Sequence, residues 1–392
     1  MAFPDFKQLT ELVRDDIIAF RRELHEYPEL PGEEVRTSRR IAQELDKLSI
    51  PYVVDEKRNV IGKLVGTKPG KKIAIRGDFD ALPVQEETGL PFSSKNPGCS
   101  HVCGHDGHAA GLLGVAKVLS GLREELCGTV YLCFQMGEEI CEGANEIISY
   151  LKQEGGVDMV IGAHLMPGFP PGCFICPAGP MMAGTAQWEL KVKGVGGHGS
   201  SPWVAVDPIK PLCEIILRIT ALNANRVTPF DAFVVSPCLL HAGTADNIIP
   251  EEASVSGTLR FYKSENLTQI PAMMEDIAKN IAASYGAQAE LTIGNSCMPV
   301  VNDAAAVELA KKVGAELGYP IYPMAPATGS DNYGEFLNAF KGFYFFSGVT
   351  RPGQPMILNH NPKFDIDEDA MIADTVFMSA FAYKFVNGLL EG

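Results

Sequence analysis

Apolar residues at Phe6, Leu9, Val13, Ile17, Phe20 and Leu24 recur at helical spacing, and Pro28 ends the run, so one amphipathic helix is expected to open the fold. Apolar runs rich in β-formers follow at 60–65, 72–76, 130–135 and 159–163, separated by helical patterns such as 109–119. Strands alternating with helices predict an α/β fold, a mixed sheet covered by helices on both faces. In such sheets ligands gather at the carboxyl ends of strands, so residues directly after these runs are the ones placed to do chemistry.

From residue 184 the pattern changes. Residues 187–193 alternate like a half-exposed strand, 208–222 read as a helix, 232–240 and 253–262 as strands, 267–283 as a helix and 289–293 as a strand. The order β-α-β-β-α-β is that of a ferredoxin-like α+β unit, which closes on itself. Patterns of the first kind return at 304–317 and 342–346, and a last helix is expected over 368–385, its start favoured by acidic residues. The smaller unit is therefore an insertion: 1–183 and 297–392 form one domain, and 184–296 a second. At 392 residues the chain exceeds the ~250–300 at which single cores usually divide.

Composition narrows the partners. With 33 basic against 48 acidic residues, a net charge of −15 repels phosphate backbones and anionic lipid, which argues against nucleic acid and membrane as partners. Charged residues interrupt every apolar run of the first twenty residues, so neither a signal peptide nor a membrane span is expected there, and the location expected is cytoplasmic. Ten cysteines without a dense spacing framework read as reduced thiols. Cys173 and Cys176 have the spacing of a redox pair, yet they stand in a Pro/Gly-rich stretch with no second pair and read as structural.

Of eight histidines, His101, His105 and His108 fall within HVCGHDGH together with Cys103 and Asp106, in what reads as a loop leading into a helix. Thiolate, imidazole and carboxylate at such spacing are ligand types for zinc or a similar divalent transition metal. A turn capped by its own polar side chains is the alternative there. Glu138 and Glu139 follow an apolar strand, where one carboxylate can bind metal and the other stay free as a base. His164 directly follows the run MVIGA and would face the same crevice, whereas His360, in NHNPKFDID, says little alone.

Taken in order, RGDFDALP, HVCGHDGH, FQMGEE, GAHL, KGVGGHGSSPWVAVDPI, GTADNIIPE, GTLRFY and NHNP closely resemble the aminoacylase-like metallopeptidase and amidohydrolase family, in particular the branch of hippurate hydrolase and indole-acetyl amino acid hydrolases. The resemblance covers essentially the whole chain. It implies a zinc-peptidase-like catalytic domain, with 184–296 as lid and dimerisation domain. It also implies that Cys103, His105, Glu139, His164 and His360 bind two divalent ions, zinc or manganese before cobalt or nickel. His105 and His164 would flank one ion, Glu139 and His360 the other, with Cys103 between. Glu138 would be general acid and base, and Asp80 the carboxylate orienting a ligand, a place for which Asp78 competes. His198 would reach into a homodimer partner's site to hydrogen-bond the oxyanion, and Asn247 and Arg260 would grip the substrate carboxylate. His25, His101, His108 and His241 are left as structural or supporting groups.

Two departures bear on substrate. Gly329, Ser330, Asp331, Asn332 and Tyr333 stand where the branch usually has glycine, serine, glutamate, aspartate and phenylalanine, and Met136 and Gly137 replace a commoner proline-alanine pair. The activity implied is hydrolysis of the amide of an N-acyl amino acid or related conjugate. The alternatives are a dipeptidase or carboxypeptidase on the same scaffold, a non-catalytic binding protein that kept the cage, and, least supported, a thiol oxidoreductase using Cys173 and Cys176.

Overall fold

A computed structural model describes residues 3–222, 227–228 and 231–390; parts of the expected domains on other residues lie outside these. Two units form. One holds Met1–Met181, Val301–Ala325 and Glu335–Gly392, the other Met182–Val300 and Pro326–Gly334.

In the first unit Asp5 caps the opening helix by accepting the Gln8 N–H. The single helix expected from the apolar spacing is two, α1 (Phe6–Glu11) and α2 (Arg14–Glu26). A tight bond from Val13 N–H to the Thr10 carbonyl breaks the run while Phe6, Ile17, Phe20 and Leu24 stay buried on one side. Next come α3 (Val35–Lys47), β1 (Tyr52–Val54), β2 (Val60–Val65), β3 (Lys68–Asp78), α4 (His105–Gly121), β4 (Cys127–Gln135), α5 (Ala144–Gln153), β5 (Met159–Met166) and β6 (Phe174–Ile175).

The second unit contributes β7 (Gly184–Lys193), β8 (Gly197–His198), α6 (Ile209–Thr220), β9 (Phe233–Ala242), β10 (Ile248–Ile249), β11 (Glu252–Phe261), α7 (Asn266–Ser284) and β12 (Gln288–Cys297). Its four long strands lie in the antiparallel order β9-β11-β7-β12, the arrangement a ferredoxin-like unit requires. Trp188, Leu190, Leu212, Ile215, Leu259 and Met274 fill its core. Pro326–Gly334 also joins this unit, a return of the chain that the alternation of elements does not signal.

Back in the first unit the chain forms α8 (Ala304–Leu317), β13 (Ile321–Tyr322), β14 (Gly342–Gly348) and α9 (Asp369–Val386). The large sheet has the order β1-β2-β4-β3-β5-β14-β6-β13 and is mixed, with β3, β4, β5 and β14 parallel to one another in the middle. Helices cover both faces. α4 and α9 are buried along almost their whole length, and Phe377 and Phe381 of α9 pack on Phe174 and Phe343 with ring centroids about 5 Å apart. Helices this apolar on every side belong inside a core. No helix among the described residues is long and apolar enough to cross a membrane.

α4 lies against β3 so closely that no side chain fits between them at one point. A Cβ at Gly77 would stand 2.9 Å from the backbone oxygen of His108, which has no room to yield. Gly77→Ala should therefore cost about 1–3 kcal/mol, as overpacking does; a chemical denaturation midpoint equal to wild type would show that the strand and helix can separate freely.

Candidate metal centre

The parallel strands β3, β4 and β5 deliver their carboxyl ends to one edge, and each carries a polar group onward: Asp78 and Asp80, Glu138 and Glu139, and His164. Between β3 and α4 stands Cys103, and His105 opens α4. The HVCGHDGH segment is thus not a loop as far as residue 108, because the helix starts at His105 and runs through His108. Apolar periodicity cannot find a first turn made of polar residues. His360 lies between β14 and α9 with φ +68°, held by its N–H donating to the Val102 carbonyl.

Two donor groups share one thiol. Cys103, His105 and His164 offer ligand atoms within 4.8 Å of one another, and so do Cys103, Glu139 and His360. His164 Nε2 is 3.5 Å from Cys103 Sγ, and His360 Nε2 is 3.4 Å from Glu139 Oε1. Glu138 joins His105 and Glu139 in a further group of the same size. All five expected ligands and Glu138 therefore meet in the first unit.

The ring orientations are set by hydrogen bonds. His105 donates from Nδ1 to Asp80 Oδ1 at 3.0 Å, and His164 from Nδ1 to the Leu165 carbonyl at 3.0 Å, so each keeps its Nε2 lone pair for the cage. The other oxygen of Asp80 accepts the Glu139 N–H at 2.9 Å. Asp78 serves a different histidine. It accepts from His108 Nδ1 at 2.5 Å, and His108 Nε2 in turn accepts the Leu165 N–H at 2.9 Å, which uses both of that ring's nitrogens. Arg76, 2.7 Å from Asp78, completes this chain of contacts.

A pair of cations suits these donors. His105 Nε2 is buried with no hydrogen-bond partner among the described residues, and Glu139 Oε1 has only the 3.4 Å approach of His360 Nε2, a costly state for a site meant to remain metal-free. Burial above all pushes the Cys103 thiol well up, and a bound cation would reverse that. For Glu139, burial pushes upward but His360 and His105 outweigh it and lower the carboxyl. Thiolate, imidazole and carboxylate together match zinc-like ions better than hard ones.

Behind the cage lies a buried charge network whose members look unrelated along the chain, as scattered histidines and one helix face. Arg21, 1% exposed, pairs with Asp106 at 2.7 Å and Asp365 at 3.0 Å. His25 faces Asp106 at 2.7 Å and Glu86 at 3.3 Å. The network joins α2 to the first turn of α4 and to the segment after His360.

His198, Asn247 and Arg260 belong to the second unit. His198 accepts from the Ser200 hydroxyl at 2.8 Å and pairs with Ile248, while Gly199 N–H donates to the Asn247 carbonyl at 2.8 Å, so the β8–β10 ladder brings the two exposed residues together. Arg260 on β11 donates to Ser330 Oγ at 2.8 Å. Asp331, in the same returning segment, accepts the Tyr333 N–H at 2.7 Å and is buried. As for Cys173 and Cys176, burial raises both thiols, the latter to about 12, the opposite of a reactive pair.

This sheet, with its ligand groups sharing a thiol at the strand ends, defines a hydrolase built to hold paired cations. Residues 74–384 match the sequence model of Peptidase family M20/M25/M40, and the chain belongs to that family. It is 35% identical to an N-acetylcysteine deacetylase of Bacillus subtilis, covering 93% of this chain and 96% of that one. It is 36% identical to thermostable carboxypeptidase 1 of Saccharolobus solfataricus, with 96% of each chain covered. The solved structure of the Bacillus subtilis YXEP protein, a dinuclear metal binding peptidase from the M20 family, superposes with a TM-score of 0.83 at 34% identity over 96% of this chain and 99% of that one.

The charge network also governs acid stability. Burial would raise Glu86, but hydrogen bonds from His25, the Ser94 N–H and Thr88 outweigh it and hold the carboxyl at about 2. A lowered folded pKa stabilises fully above the unfolded value of ~4.3 and loses that contribution as pH falls through the folded one. Wild-type stability should thus fall more steeply than that of Glu86→Gln as pH is lowered through this range; parallel urea-unfolding curves for the two would refute the assignment.

Proposed function

We propose that this chain hydrolyses the amide bond of N-acyl amino acids or related conjugates, with Glu138 as general acid and base. The observation that carries the reading is the sharing of Cys103 between two donor groups with Glu138 beside them. Two divalent cations, when bound, supply the charge that acidifies a water and polarises a carbonyl. Cys103, His105, Glu139, His164 and His360 are the residues proposed to hold them, with Asp80 orienting His105, and zinc or manganese are the proposed ions. Glu138 takes the proton of the attacking water and passes it to the amide nitrogen as that nitrogen leaves, so the poor leaving group departs as an amine. A relative that removes acetyl groups from N-acetylcysteine supports an acyl amino acid as substrate.

The carboxypeptidase relative supports the second reading, cleavage of peptides or dipeptides, since the same water serves both. We read 184–296 as lid and dimerisation domain, serving the catalytic segments 1–183 and 297–392. In that arrangement His198 is a catalytic group offered to the partner's oxyanion, and Asn247 and Arg260 bind the substrate's carboxylate through neutral and charged donors. A homodimer follows from this reading. The sequence's ten cysteines, spread without a dense spacing framework, support a reducing, cytoplasmic location.

Glu138→Gln should lower kcat by about 10²–10⁴-fold with KM little changed, because a general base acts on the transition state and not on binding. Chelation should abolish turnover and added zinc or manganese restore it. A panel of N-acyl amino acids and dipeptides measured on both proteins decides the reading: chelator-resistant activity, or full activity of the Gln variant, would defeat it.

A further inference from the structure

The turn that carries Glu138 and Glu139 is held from outside itself. Met136 N–H donates to Asn59 Oδ1, Gly137 N–H to Glu34 Oε1 and Glu139 N–H to Asp80 Oδ2, each at 2.9 Å. These acceptors come from three places: the residue before β2, the residue before α3 and the loop after β3. Asn59 is itself fixed, since its amide donates to Asp55 at 2.7 Å and to the Gly143 carbonyl at 3.0 Å.

Glu34 is the unusual member. It is fully buried, at 0% exposure, and lies outside every motif that marks the site. Its Oε2 is also buried and has no hydrogen-bond partner among the described residues, so the bond from Gly137 falls to the other oxygen. Burial first, with Asp80 adding to it, raises this carboxyl to about 7 against the lowering pull of nearby backbone N–H groups. A buried carboxyl with one oxygen unsatisfied is a poor way to stabilise a fold, and an apolar side chain of similar volume would serve stability better. What Glu34 does fix is direction. Gly137 has φ +65° and leads directly into the 3₁₀ turn Glu138–Ile140, so the orientation of its peptide sets where the next two side chains point.

We propose that Glu34 is a positioning residue for amide hydrolysis: by accepting the Gly137 N–H it locks the left-handed turn that aims Glu138 at the reacting water while Asp80 secures Glu139. The proposal rests on the reading of Glu138 as acid and base. Its mechanism is geometric, because displacing a reacting group by about 1 Å can cost on the order of 10²-fold in rate.

Glu34→Leu removes the acceptor while keeping bulk, and Glu34→Gln keeps an acceptor oxygen in place. Both are measured as metal-loaded full chains for kcat, KM, bound divalent ion and unfolding midpoint, using an N-acyl amino acid that wild type turns over. The Leu variant should lose at least about tenfold in kcat with KM within about threefold and metal content unchanged, and the Gln variant should stay within about threefold of wild type. A folded Leu variant with wild-type kcat overturns the proposal, as does a Gln variant as slow as Leu, or a loss of rate that merely tracks lost metal. Should Glu34→Leu not fold, Glu34→Asp, which draws the oxygen back by one methylene, is judged by the same criteria. Wild type inert on every amide would sink the functional reading and this proposal with it, whereas active wild type with an indifferent Leu variant sinks the proposal alone.

Discussion

One carboxylate sets the geometry on which the centre depends. Asp80 receives the His105 ring with one oxygen and the Glu139 main chain with the other, so a proposed ligand from α4 and one from the end of β4 are referenced to a single group at the end of β3. Three separate elements are thereby fixed relative to one another by two hydrogen bonds. A carboxylate acceptor makes these bonds stronger than neutral ones, and the low dielectric around them strengthens them further. The sheet provides the approximate convergence, and Asp80 supplies the final ångström.

The same logic repeats outward. Asp78 turns His108 so that its second nitrogen receives the Leu165 N–H, and Leu165 is the residue after His164. Asp106, next to His105, is tied through Arg21 to Asp365, a few residues beyond His360. Removing one partner from such a buried pair typically costs about 3–5 kcal/mol, because a charge is left without compensation. The donor cluster is thus supported by groups that would each leave a buried charge or dipole uncompensated if lost.

The sheet and the ligands are legible in the sequence for a specific reason. The strand Val60–Val65 is mostly apolar and the helix Ala304–Leu317 carries apolar residues at helical spacing, so pattern alone finds them. Cys103, His105 and the Glu138–Glu139 pair stand out as rare residue types clustered at strand ends. What stays hidden is polar and long-range. The first turn of α4 resembles loop because its residues carry no apolar period, and the break at Val13 depends on one tightened hydrogen bond. Glu34 is 103 residues from Gly137, and Asp78 is 30 residues from His108, so only tertiary folding could pair them. The return of Pro326–Gly334 to the second unit has no local signature either.

The position of β14 bears on how the protein matures. This strand sits between β5 and β6, yet it comes from Gly342–Gly348, after the whole inserted unit has been made. A nascent chain emerges from its N-terminus, so until that late segment arrives the sheet has a vacant lane and His360 does not yet exist beside Glu139. The inserted unit can build its sheet during this interval, because its long strands are already synthesised and pair with one another. Topology accordingly makes the donor cluster a late assembly relative to the inserted strands: His360 can meet Glu139 only after Gly342–Gly348 has been synthesised.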